Sequence, residues 1–103
     1  MIYLLYLLIE DKALQFEYDE NKSISNKSKH GIDFEEAKSL WNDDNALIVP
    51  ANIIGDEIRY ALISYLSEKC YVAIFIIRDN KYRIISVRRC RKNEKENYAN
   101  NNS

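Results

Sequence analysis

The sequence predicts a small α+β protein: an antiparallel sheet with two helices before it, on one face, and one helix after it. Three observations carry this. Residues 46–89 read as successive β-rich runs separated by turn signals at Gly55-Asp56, Ser67-Glu68-Lys69 and Asp79-Asn80. Residues 20–41 instead show helix caps and helical spacing. Two Gly and one Pro in 103 residues leave little room for long structureless loops. Hairpin-linked strands beside flanking helices make a layered domain. Helices over one face would leave the other face open to a ligand.

The elements follow in order. Met1–Ile9 is strongly apolar but has no basic region before it and no small-residue cleavage site. It falls well short of the roughly 20 residues needed to span a bilayer. Residues 1–13 are therefore expected to be an apolar extension or an extra strand, with no membrane role. A single domain is expected over residues 14–99, with a disordered tail at 100–103. Phe16-Glu17-Tyr18-Asp19 alternates apolar and acidic residues, as a short strand does.

Asp19 can cap a helix over about residues 20–29, with Glu20 at the positive end of its dipole and Lys27 and Lys29 at the negative end. Ile24 is its one large apolar anchor, and Gly31 suits the left-handed residue after the last turn. Asp33 and Glu36 have capping-box spacing for a second helix. Phe34, Ala37, Leu40 and Trp41 form its apolar stripe, which reads Trp41 as packing.

Ala46–Ile53 contains Pro50 and is expected at a sheet edge, or interrupted. Glu57–Leu66 is rich in β-branched and aromatic residues. Cys70–Ile77 is almost wholly apolar and predicts a central strand covered on both faces. Asp79-Asn80 is a two-residue hairpin turn before the last strand, Tyr82–Arg89. Arg91–Tyr98 is a good helix former. Cys70 and Cys90 are far apart and nothing marks secretion, so two reduced thiols in a cytoplasmic protein are expected.

The net charge of −1 hides an asymmetry. From Arg78 onward eight Lys/Arg face three acids, giving +5, so residues 1–77 carry −6. That distribution suits a basic surface for a polyanion, or a merely solvated last helix. There is no metal-type Cys/His spacing, no Cys/His nucleophile pair and no phosphate-cradling Gly loop, so neither metal nor cofactor is expected. The reactive inventory is His30, Lys29, Arg59, Arg83, Arg88, Arg89 and Tyr98.

Metal-free RNA cleavage needs little more. A base deprotonates the ribose 2′-OH, cations stabilise the phosphorane, and an acid protonates the leaving 5′-oxygen. Arginine suits the phosphorane, and His can transfer protons near neutral pH. Each residue also has a plainer reading. His30 before Gly31 can be a helix-end feature. Arg59 beside Glu57 can be a surface ion pair worth under about 1 kcal/mol. Arg83 and Arg88 differ in strand parity and share a cleft only if a bulge or a strand end intervenes.

Phe16–Lys22, Lys29-His30-Gly31-Ile-Asp-Phe34-Glu-Glu-Ala37, Glu57-Ile-Arg59-Tyr60, Tyr82-Arg83-Ile-Ile-Ser86-Val-Arg88-Arg89, Glu94 and Tyr98 occur in order. Together they resemble the BrnT-type toxins of type II toxin–antitoxin systems. Departures are Tyr18 for the family's Trp, Val87 and Cys90 for Ala, and Lys95 for Arg. The resemblance implies a RelE-like fold and a cytoplasmic, metal-independent endoribonuclease that inhibits translation and growth. It maps the catalytic role onto Lys29, His30, Arg59, Arg83 and Arg88; Arg89, Arg91 and Lys92, in the basic carboxy-terminal part, are expected to bind RNA. It further implies a BrnA-type antitoxin, a heterotetramer of two toxins and two antitoxins, and DNA contact only through the antitoxin. The alternative is an inactive homologue acting as a binding module.

Overall fold

Residues 14–103 are described by a computed structural model of the chain. Their elements are β1 (Phe16–Glu17), α1 (Glu20–His30), α2 (Phe34–Ala37) running into a 3-10 helix (Lys38–Asn42), β2 (Leu47–Ile54), β3 (Glu57–Leu66), β4 (Lys69–Arg78), β5 (Lys81–Arg89) and α3 (Lys92–Asn101). The expected apolar extension over residues 1–13 lies outside the described residues. One five-stranded sheet runs in the order β1-β5-β4-β3-β2.

Local chemistry accounts for most boundaries. Asp79 and Asn80 both adopt positive φ, 53° and 63°, as do Ser67 and Glu68 at 51° and 66°. Left-handed residues at both central positions give a turn whose twist matches that of the flanking strands. The second hairpin is thus one residue tighter than expected, and Lys69 begins β4. Pro50 lies in the outer strand β2, beside a register shift between Pro50 and Asn52. A residue without an N–H is tolerated there because, among the described residues, no strand flanks β2 on its outer side.

The sheet is mixed where an antiparallel one was expected. β1 runs parallel to β5, pairing Phe16 with Tyr82 and Glu17 with Arg83. No hairpin joins these two strands; the rest of the fold intervenes, so the connection does not impose an antiparallel direction.

The capping box at Asp33 forms as the spacing predicts. Glu36 N–H donates to Asp33 Oδ1 at 2.7 Å, and Asp33 N–H to Glu36 Oε1 at 2.9 Å. The helix is shorter than expected because its second half tightens to 3-10 geometry, yet Phe34, Ala37, Leu40 and Trp41 are all buried. They pack with Leu62, Phe75, Tyr82, Ile84 and Val87. Trp41 meets Phe16, Phe75 and Tyr82 at ring-centroid distances of 5.0, 5.3 and 5.4 Å. Each such large side chain contributes about 2 kcal/mol by leaving water.

α1 is held differently from expectation. Ile24 is 62% exposed and anchors nothing. The buried residues of α1 are Ser23 and Asn26. Ser23 Oγ accepts from Phe34 N–H at 2.9 Å, and Asn26 hydrogen-bonds to the backbone of Ile32 and Val87. A polar helix is thereby fixed beside β5 by satisfied hydrogen bonds.

The face away from α2 is not fully open either. Ala61, Ile63, Cys70 and Val72 form a second cluster there, against which Tyr98 of α3 packs. Cys70 and Cys90 are joined as a disulfide, replacing the expected pair of reduced thiols. Tyr71 pairs with Arg89, so the β4–β5 hairpin places positions 70 and 90 opposite each other. Their Cα atoms are 5.3 Å apart and Cys90 N–H donates to Cys70 C=O at 2.9 Å. Their sequence separation of 20 concealed a proximity that the hairpin register creates.

Candidate active site

A single bulge decides which face the arginines occupy. On β4 and β5, Ile74 pairs with Ser86 and Phe75 with Ile84, which leaves Ile85 as the extra residue. An extra residue restores the parity that Arg83 and Arg88 lack in sequence. Arg83 pairs with Ile76 and Arg88 with Val72, positions four apart on β4. Both arginines therefore lie on the face opposite Tyr82, Ile84 and Val87. Arg59 alternates with Ala61 and Ile63 on that same face. Tyr60 pairs with Phe75, so the register carried one step on sets Arg59 beside Ile76. Arg59 and Arg83 thus flank Ile76, which is only 1% exposed.

The three guanidinium groups are in different states. Arg83 donates from Nη1 to Glu17 Oε2 at 3.2 Å, across the β1–β5 pair. Arg88 forms a two-pronged pair with Glu94, at 2.8 and 2.7 Å. Glu94 also accepts the N–H of Arg91 at 2.7 Å. The Arg88 hydrogen bonds hold the Glu94 carboxyl below the usual carboxylate range, against the opposing effect of burial. Arg59 carries no ion pair among the described residues, and its buried Nε has no acceptor among them.

Lys29 and His30 stand apart from these arginines. They are exposed at the end of α1, where Gly31 takes φ 77° and donates its N–H to Lys27 C=O at 2.9 Å. Both line a cavity of about 200 Å³ between α1 and β5, together with Lys22, Ser25, Ile85 and Ser86. No hydrogen bond or ion pair links them to Arg59, Arg83 or Arg88 among the described residues. In sequence Arg83 and Arg88 bracket the Ile85-Ser86 segment that lines the cavity, but neither arginine lines it.

The remaining basic residues diverge. Arg89 is exposed, donates from Nε to Cys70 C=O at 3.3 Å, and lies 5.6 Å from the Tyr71 ring centre. Arg91 and Lys92 are exposed at the start of α3. Tyr98 is structural: its hydroxyl donates to Asp43 Oδ2 at 2.8 Å. Burial, reinforced by that hydrogen bond, pushes its pKa up to about 12.

Sequence reasoning missed Asn26 and Asp43. Asp43 accepts Asn45 N–H at 2.9 Å, Tyr65 N–H at 3.0 Å and the Tyr98 hydroxyl, tying β3 and α3 to the end of the 3-10 helix. Burial works to raise its pKa, but these hydrogen bonds prevail and hold it below the ordinary value. For Asn26, the available signal was an amide in a helix with no apolar face.

Among the described residues no His/Cys/Asp/Glu group is arranged to hold a metal ion. No described helix is long and apolar enough to cross a membrane. A comparison with curated proteins returned no match. Residues 18–94, which include the cavity between α1 and β5 and all three arginines, match the model of a family described as the ribonuclease toxin, BrnT, of type II toxin–antitoxin systems, and the chain belongs to that family.

Proposed function

We propose that this protein is a metal-independent endoribonuclease with a RelE-like fold, acting on RNA in the cytoplasm to inhibit translation and growth. The observation that carries this reading is the family match, which spans every residue assigned to the chemistry. RNA supplies its own nucleophile, so the protein need only move protons and stabilise charge. A base takes the 2′-OH proton and O2′ bonds to phosphorus. The P–O5′ bond breaks, and an acid protonates the departing 5′-oxygen. His30, beside Lys29, serves proton transfer. Arg59 and Arg83 stabilise the phosphorane, because guanidinium can bond two of its oxygens. Arg88 adds a further cation on the face of Arg59 and Arg83, and Arg89, Arg91 and Lys92 contribute charge toward the RNA backbone.

A type II toxin family implies an antitoxin partner. In this reading the partner is a BrnA-type protein, in a heterotetramer of two toxins and two antitoxins that meets DNA only through the antitoxin. A second reading, an inactive homologue that sequesters its partner, is favoured by one observation. Arg83 and Arg88 are both occupied by carboxylates, Glu17 and Glu94.

The test is incubation of the protein, freed of any partner, with RNA in excess EDTA. Cleavage by wild type, lost in the His30→Ala/Arg59→Ala double variant, is expected. Cleavage that requires added divalent ions would overturn metal independence. RNA left intact by wild type, with no growth arrest on expression, would favour the sequestering role.

A further inference from the structure

The α1 surface beside β5 holds more than Lys29 and His30. Lys22, Ser25, Lys29 and His30 lie at helical spacings of three, four and one residues and share one side of α1. Asn26, within the same stripe, fastens it to Val87 at 2.9 and 3.1 Å. The stripe therefore stands at a fixed distance from the Ile85 bulge and Ser86, and the cavity between them is built into the fold.

Its charge is distinctive. No carboxylate lines it. The cavity on the other flank of α1 includes Glu20 and Asp33, and the one at the start of β3 includes Asp56 and Glu57. Lys27 and Lys38 are neutralised by Glu36 and Glu35 at 2.8 and 2.9 Å. Lys22 and Lys29 have no such pair among the described residues. The C-terminal end of a helix carries partial negative charge, so the helix itself does not recruit an anion there. The positive charge of the cavity comes from the two ammonium groups, Lys22 and Lys29.

The size is also selective. At about 200 Å³ the cavity lies below the roughly 300–1,000 Å³ of sites that enclose a drug-sized ligand. A phosphodiester group is small enough to enter a cavity of that size. The hydroxyls of Ser25 and Ser86 are neutral donors suited to phosphate oxygens.

We infer that Lys22, Ser25 and Ser86 form a subsite for a non-reacting phosphodiester of single-stranded RNA, adjoining the Lys29–His30 end where the strand is cut. This rests on the ribonuclease reading for its reacting end, but the binding event does not require turnover. Phosphate contacts of this kind position a chain without reading its sequence. The subsite holds the backbone one step from the scissile bond, so it sets the register of cleavage.

The test uses the full chain, a short single-stranded RNA, and the same strand with 2′-O-methyl groups, which binds but cannot be cut. Lys22→Ala, Ser86→Ala and the conservative Lys22→Arg are compared with wild type. Lys22→Ala is expected to weaken 2′-O-methyl RNA binding about tenfold and to reduce the magnitude of the log–log salt slope by about 0.7, the loss of one phosphate contact. KM should rise by a similar factor with kcat within about twofold, and Lys22→Arg should restore both. Ser86→Ala should raise KM less and leave the salt slope unchanged. Unchanged binding and salt slope in a folded Lys22→Ala protein would overturn the subsite. So would a fall in kcat at constant KM. Lys22-dependent RNA binding by a wild type that cuts nothing would uphold the subsite while removing the ribonuclease reading.

Discussion

Asn26 and Val87, sixty-one residues apart, pair through both polar groups of one backbone unit. The Asn26 amide nitrogen donates to Val87 C=O at 2.9 Å, and its oxygen accepts Val87 N–H at 3.1 Å. The same nitrogen donates to Ile32 C=O at 2.8 Å. β1 pairs with β5 only as far as Arg83, so a side-chain amide supplies what a strand neighbour would supply at Val87. All three bonds are buried, which makes this a costly place to leave a polar group alone.

Asn26→Ala should cost about 3 kcal/mol, because the Val87 N–H and two backbone carbonyls lose buried partners. Asn26→Asp keeps an acceptor for Val87 N–H but sets a charge against the carbonyls of Val87 and Ile32, and should cost at least as much. Urea unfolding checks this: the midpoint should fall with little change in slope. A shift under about 0.5 kcal/mol would show that α1 does not depend on this amide.

Arg88 and Glu94 predict a separation between stability and activity. Arg88→Ala should lower the melting temperature together with RNA cleavage, since it strands Glu94 at the start of α3. Arg59→Ala should lower cleavage at an almost unchanged melting temperature. Thermal melts and cleavage rates on the same samples decide it. The opposite pattern would place Arg59 in the framework and Arg88 in the chemistry.

The pH dependence on the acid side follows from Glu94 and Asp43. Both have folded-state values below the ordinary carboxylate range, Glu94 through Arg88 and Asp43 through hydrogen bonds that outweigh its burial. A depressed carboxyl contributes stability that is fully present above its unfolded pKa and lost as pH falls through the folded one. Stability should therefore hold above about pH 4.5 and decline below it. Glu94→Gln should flatten that decline in urea midpoints measured across pH 2–6. An unchanged acid limb would remove Glu94 from this account.

On the alkaline side Tyr82 and Tyr98 act in the opposite sense. Burial pushes both up to about 12, Tyr98 with help from Asp43. A raised phenol contributes stability that is complete below the unfolded value near 10 and lost as pH rises through the folded one. Unfolding midpoints should fall between pH 10 and about 12, and less steeply in Tyr98→Phe. That variant also loses the 2.8 Å bond to Asp43, and should be less stable by about 1 kcal/mol at neutral pH.

Much of this protein was legible because its signals are local. Asp79-Asn80 reads as a tight turn since few residues tolerate two successive left-handed conformations. Asp33 and Glu36 read as a cap since an N-terminal N–H needs an acceptor three residues away. Pro50 reads as an edge since it has no N–H to give. Lys29-His30-Gly31 reads as a helix end for the same kind of reason. These demands are met within four residues, and sequence spacing alone determined them.

Tertiary structure decided the rest. The Ile85 bulge sets Arg83 and Arg88 on one face, the β4–β5 register brings Cys70 to Cys90, and Asn26 occupies the vacant edge at Val87. β1 joins β5 in parallel, and the same fold holds Lys29 and His30 beside the Ile85-Ser86 segment, apart from Arg59. None of these is encoded in the spacing of neighbours. Each depends on which backbone groups remain unpaired once strands from distant parts of the chain have come together.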